Sequence, residues 1–182
     1  NLVCTPVTIE TKKILKESRP MPIANNVTRL LDSRKILYTA YELSTEKHGA
    51  LETARLLNAD PASIFKTIVV LREKPKKPLL VLVSGDSVVD LKVLASALGE
   101  KKVHLPTEIE AEQVTGLQAG GISPLALLNK GFQVVLDSSA QNFEQIHVSG
   151  GQRGLNIKLP VAELIALTNA RIESVSKSES SG

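Results

Sequence analysis

Tryptophan is absent from these 182 residues, and aromatic residues reach only 3%. A core built from them must be aliphatic, and a grip on nucleic acid carried mainly by base stacking is disfavoured. The single cysteine, Cys4, leaves no internal disulfide framework and no cysteine-rich zinc site. It fits a reducing, cytoplasmic setting. No apolar run approaches the roughly 18 residues that a membrane span needs, and the opening Asn1-Leu2-Val3-Cys4 shows no basic-then-apolar leader. A large charge of one sign is also missing. Lys and Arg total 22 against 19 Asp and Glu, a net of +3. That balance permits contact with a polyanion without implying that the chain wraps one.

What is present suits one domain. Apolar residues make up 42%, and a chain of this length buries roughly 70% of its unfolded surface. Residues 1–22 read as an appendage, charged at Lys12, Lys13, Lys16 and Arg19 and closed by Pro20 and Pro22. Residues 23–174 read as the domain, and 175–182, rich in serine and charge, as a disordered tail.

The spacing predicts a helix over 26–35, capped by Asn25 or Asn26 and striped with Val27, Leu30 and Leu31. Strands are expected over 36–43, 64–71, 79–83, 132–136, 145–148 and 155–159, the second and third forming a hairpin across 74–78. Further helices are expected over 50–57, from the Asp90 cap to Gly99, from the Thr107/Glu110 capping box to Gly116, and after Pro160. Several connections are too short for parallel crossovers. The expected fold class is therefore α/β: a single domain with a mixed, mostly antiparallel curved sheet, a pseudo-barrel, and helices packed outside it.

Lys66 is the oddest residue. Side chains alternate along a strand, so a lysine between Ile64 and Ile68 meets an apolar surface on either face. It must snorkel, guard an edge, or enter a pocket where an anion waits. Gly120-Gly121, followed by Ile122-Ser123-Pro124, is either an ordinary turn or a loop whose backbone approaches a ligand. Ser149-Gly150-Gly151-Gln152 looks like an ABC-transporter signature, but no phosphate loop exists anywhere in the chain and a strand pattern follows. His48, His104 and His147 have no metal-ligand spacing, and His147 reads as a solvent-facing strand residue. Tyr38 and Tyr41 fit simple sheet packing. Lys74, Lys76 and Lys77 fit either a turn that meets a polyanion or a solvated one.

Together these segments resemble the YbaK/prolyl-tRNA-editing family, over about 26–174 and most closely its stand-alone Cys-tRNA(Pro) deacylases. The landmarks occur in family order: Tyr41-Glu42, Phe65-Lys66-Thr67, Asp90-Leu91-Lys92 with Ala97-Leu98-Gly99, Gly120 to Pro124, Val135-Leu136-Asp137, Val148 to Gly151, and Arg153-Gly154-Leu155. The resemblance implies an editing enzyme with no metal and no cofactor, acting in the cytoplasm. Its partner would be the 3′ aminoacyl-adenosine end of a mischarged tRNA, with prolyl-tRNA synthetase as a candidate second partner and neither DNA nor a membrane. It implies that Lys66 and Gly120 act in catalysis, and that Tyr41, Gly121, Ser149 and Asn156 bind substrate. Cysteine is the implied amino acid. Alanine, or a catalytically weak tRNA- or synthetase-binding module, are the alternatives, and a regulatory domain holding a free amino acid is a third. One position departs from the pattern. Asn156 stands where the cysteinyl members carry Asp, and its neutral hydrogen bond is about half as strong as the carboxylate's would be.

Overall fold

The computed structural model describes residues 23–179, so the expected extension over 1–22 lies outside the described residues. Helix α1, Asn26–Ser33, starts at Asn25, whose side chain accepts from Thr28 N while the Thr28 hydroxyl accepts from Asn25 N. It ends two residues before expected, because Lys35 takes the left-handed conformation at φ 57° and Ile36 N turns back to Leu31 O. Strand β1 is therefore only Thr39–Glu42. Helix α2 is Ala50–Leu57, β2 Phe65–Arg72, β3 Leu79–Ser84, β4 Ser87–Val89, α3 Leu91–Leu98, β5 Val103–His104 and α4 Glu108–Thr115. The chain continues with β6 Gln133–Asp137, β7 Gln145–Ser149, β8 Leu155–Pro160, α5 Val161–Thr168, β9 Arg171–Glu173 and β10 Ser176–Ser178.

The strands form three hydrogen-bonded sheets ordered β1-β8-β7, β10-β4 and β5-β2-β3-β6-β9. Antiparallel pairs dominate. β6 nevertheless runs parallel to both β3 and β9, which the long intervening connections permit. A parallel bridge between Ile64 and His147 joins the start of β2 to β7, so two of the sheets continue into one curved surface. All six residues of β3 are buried because both its faces are covered. Leu80 and Leu82 face a cluster shared with Ile146, Val148, Ile157 and Leu159 of the other sheet, while Leu79, Val81 and Val83 face α3 through Leu94. Helix α3 packs outside the sheet as expected. Helices α1 and α5 instead contribute Val27, Leu31 and Leu164 to the cluster between the sheets.

The tail is a correction. Val175 is fully buried, and Ser176, Lys177 and Ser178 pair with Val89, Val88 and Ser87. The ordered domain thus runs beyond Ser174. A serine-rich segment carries no apolar signal, and its partner lies almost ninety residues away.

Candidate functional site

Strand β2 begins and β3 ends at the same rim of the five-stranded sheet, since Phe65 pairs with Ser84. A cavity of about 460 Å³ opens there. Lys66, Gly120, Ser149 and Asn156 all line it, so four residues spread over ninety positions meet at one place. Lys66 shares its face with Ile68 and Val70, the face that meets α3. Its ammonium lies 3.5 Å from Gly85 O and pairs with no carboxylate among the described residues. An ammonium half removed from water and left without a counter-charge is a receptor for an anion.

Gly120 is held from both sides. Ala119 N donates to Glu112 Oε1 at 2.8 Å, and Ala119 O accepts from Arg153 Nε at 2.7 Å. Glu112 sits on α4 and Arg153 in the turn after β7, so two distant segments fix the peptide groups on either side of Ala119. The next residue is Gly120, at φ 87°, where a side chain would be strained. Its amide donates to no acceptor among the described residues. Ser149 Oγ accepts from Gly151 N at 3.3 Å, which leaves the hydroxyl proton for another acceptor.

Two expected substrate contacts lie off the cavity wall. The Gly121 amide donates to Gln118 O at 2.9 Å, and a Cβ there would come within 2.8–2.9 Å of the Gln152 and Arg153 backbone. Gly121 is small so that the two glycine turns can touch. Tyr41 lies directly opposite Asn156 in the β1–β8 ladder, but its ring packs on His147, with centroids 5.5 Å apart. His147 itself is only 4% exposed, which corrects the solvent-facing expectation. The basic hairpin also reads differently. Lys76 pairs with Glu100 and Lys77 donates to Lys130 O, so both are occupied within the fold.

Three further wall residues were not among the expected site residues. Lys47, before α2, forms an ion pair with Glu108 at the start of α4, across the cavity rim. That hydrogen bond, with the Arg153 charge adding to it, holds the Glu108 carboxyl below the usual carboxylate range. The third is Thr67, the residue after Lys66. Among the described residues its Oγ1 is the one buried side-chain polar atom with no hydrogen-bond partner. An orphan of this kind costs about 1–3 kcal/mol, so a ligand group is its natural complement. Thr67→Val keeps the shape and removes the orphan. Thermal unfolding of this variant should show an unchanged or higher Tm. Its kcat/KM should fall roughly two- to twelvefold, the worth of one neutral hydrogen bond. A lower Tm with an unaltered rate would refute the reading of Thr67.

No helix among the described residues is long and apolar enough to cross a membrane. Residues 45–167 match the family model described as "Aminoacyl-tRNA editing domain". The chain is 34% identical over 156 residues to an Enterococcus faecalis protein named "Putative Cys-tRNA(Pro)/Cys-tRNA(Cys) deacylase EbsC", covering 85% of this chain and 94% of that one. It is 28% identical over 102 residues to the proline–tRNA ligase of Aquifex aeolicus, of which the match spans only 18%. Its fold superimposes with a TM-score of 0.71, at 25% identity, on a crystal structure described as that of "a putative trans-editing enzyme for prolyl tRNA synthetase", covering 85% of this chain and 99% of that one.

Proposed function

We propose a function from one premise: the chain belongs to the aminoacyl-tRNA editing domain family. It is an aminoacyl-tRNA deacylase that works in trans, and its substrate is Cys-tRNA(Pro). The observation that carries this reading is the lone Lys66 ammonium in one cavity with the free Gly120 amide. The first meets the phosphate and adenosine of the tRNA end, and the second meets the ester carbonyl.

The chemistry asks little of the protein. An aminoacyl ester is already activated, so positioning and a preorganised amide donor supply much of the rate. In the cysteinyl ester the substrate's own thiol attacks the carbonyl carbon. A C–S bond forms, the ester C–O bond breaks, and the thiol proton ends on the ribose oxygen, leaving a thiolactone and free tRNA. This route uses neither metal nor cofactor. A synthetase separates similar small side chains by only about 1–3 kcal/mol, which is why removal after the fact is needed. The similarity to part of a proline–tRNA ligase supports that synthetase as a partner and the cytoplasm as the place of work. A second reading, removal of alanine from Ala-tRNA(Pro), is kept because Asn156, where the cysteinyl members carry Asp, lines the cavity.

The test is deacylation of Cys-tRNA(Pro), Ala-tRNA(Pro), Pro-tRNA(Pro) and Cys-tRNA(Cys) side by side. Rapid loss of cysteine with proline spared is expected. Faster loss of alanine would select the second reading, and binding of all four without turnover would defeat both.

A further inference from the structure

Three elements meet behind the cavity in a way the function above leaves unused. In the β1-β8-β7 sheet, Tyr41, Asn156 and Ser149 lie side by side across three strands. Two positions along, on the same face, His147 of β7 lies opposite Lys158, so it reaches Asn156 on the diagonal. His147 Nδ1 is 2.8 Å from Asn156 Oδ1. An amide oxygen only accepts, so this orientation of the carboxamide makes Nδ1 the donor. Asn156 Nδ2 donates to nothing among the described residues, while Asn156 lines the cavity.

We propose that His147 is a positioning residue. Its Nδ1–H holds Asn156 Oδ1 and turns the carboxamide NH2 toward the substrate, so that the site offers a hydrogen-bond donor where an aspartate would offer only acceptors. The proposal rests on the deacylase reading for its substrate, and on the sheet geometry alone for the pairing. Burial lowers the basicity of His147, and the Lys158 charge works the same way, against the opposing pull of the Asn156 bond. A neutral imidazole has a single N–H, and here Asn156 claims it. The Tyr41 ring braces the imidazole from the β1 side. Tyr41 therefore contributes to the site through His147 rather than by touching substrate. The donor-bearing amide has a chemical consequence. It complements a carbonyl or ribose oxygen of the aminoacyl ester, and it does not attract the α-ammonium as a carboxylate does.

The pairing is tested without any variant, by long-range ¹H–¹⁵N spectra of the intact wild-type chain at neutral pH. The expected signature is a neutral His147 protonated at Nδ1, and an Nε2–H tautomer would overturn the proposal. The functional half is tested by a mutant cycle read as kcat and KM on Cys-tRNA(Pro), with Tm recorded for each variant. His147→Leu should lower kcat/KM about tenfold, the worth of one hydrogen bond. His147→Asn, whose Nδ2 stands near the Nδ1 position, should recover most of that loss. His147→Leu added to Asn156→Ala should cost nothing beyond Asn156→Ala alone, because His147 acts through Asn156. Additive losses, or failure of His147→Asn to rescue at equal Tm, would overturn it. If the wild type turns over none of the four charged tRNAs, the deacylase reading fails while the tautomer measurement still decides the pairing.

Discussion

Replacing Lys66 by methionine is expected to lower kcat/KM on Cys-tRNA(Pro) by about 10²- to 10³-fold, the range seen when a preorganised electrostatic contact is removed from an active site. Methionine keeps the unbranched stem that follows Ile68 and Val70 along the α3 face, and removes only the charge. Stability should move by no more than about 0.5 kcal/mol, since the ammonium has one 3.5 Å contact with Gly85 O to lose. A large loss of rate with an unmoved Tm separates a functional charge from a structural one. Lys66→Ala should lose rate as severely and show slightly lower stability from the missing stem. Lys66→Arg should not restore the rate, because a planar fork cannot replace a compact point charge at a fitted site. If the ammonium is waiting for a phosphate, added salt should also raise KM in the wild type, because screening weakens a partly exposed attraction. The same salt should change little in Lys66→Met. Wild-type turnover in that variant would remove Lys66 from the mechanism.

Lys66 was legible in the sequence because a charge inside an apolar run violates the pattern around it. Local rules also fixed several boundaries. Asp90 accepts from Lys92 and Val93 at the start of α3, Gly99 ends that helix at φ 65°, and the Thr107/Glu110 capping box opens α4. Each of these devices is complete within a few residues. The misses have the opposite character. Strands β4, β5, β9 and β10 are two or three residues long, too short for any period to register, and they exist because distant partners supply their ladders. Strand alternation sets His147 on the face away from Ile146 and Val148. It could not say that this face is covered, since cover is a tertiary fact. Thr67 stands among the family landmarks, but nothing in the pattern marks its hydroxyl as part of the site. Threonine is ordinary in a strand, and only the absence of a partner around its hydroxyl makes it unusual.

Asp137→Ala should be the most destabilising of these substitutions, by about 3 kcal/mol or more, with the active site untouched. Asp137 ends β6 and is 2% exposed. Its Oδ1 accepts from Val175 N at 2.8 Å and Ser176 N at 2.9 Å, and its Oδ2 from Ser139 N at 3.1 Å and Ser139 Oγ at 2.6 Å. One carboxylate thus ties the exit of the central sheet to the segment that leads into β10, and seats the fully buried Val175 against α3. Burial alone would raise its pKa, but the hydrogen bonds to the charged form outweigh burial and hold the carboxyl below the usual range. A carboxyl whose pKa is depressed by folding stabilises the fold at every pH above its unfolded value of about 3.9. That contribution fades as the pH falls from there through the lowered folded value. Urea unfolding at pH 7 should therefore separate wild type from Asp137→Ala widely, and the gap should narrow at pH 3 and below. Asp137→Asn should land between them. Its oxygen can still serve Val175 and Ser176, but its NH2 then faces two Ser139 donors. Removing residues 175–182 should reproduce most of the Asp137→Ala loss, because the carboxylate would keep its charge and lose half its donors. A gap that stays constant from pH 7 to pH 3 would mean that the charge on Asp137 contributes nothing, and that the C-terminal strand is held by Val175 packing alone.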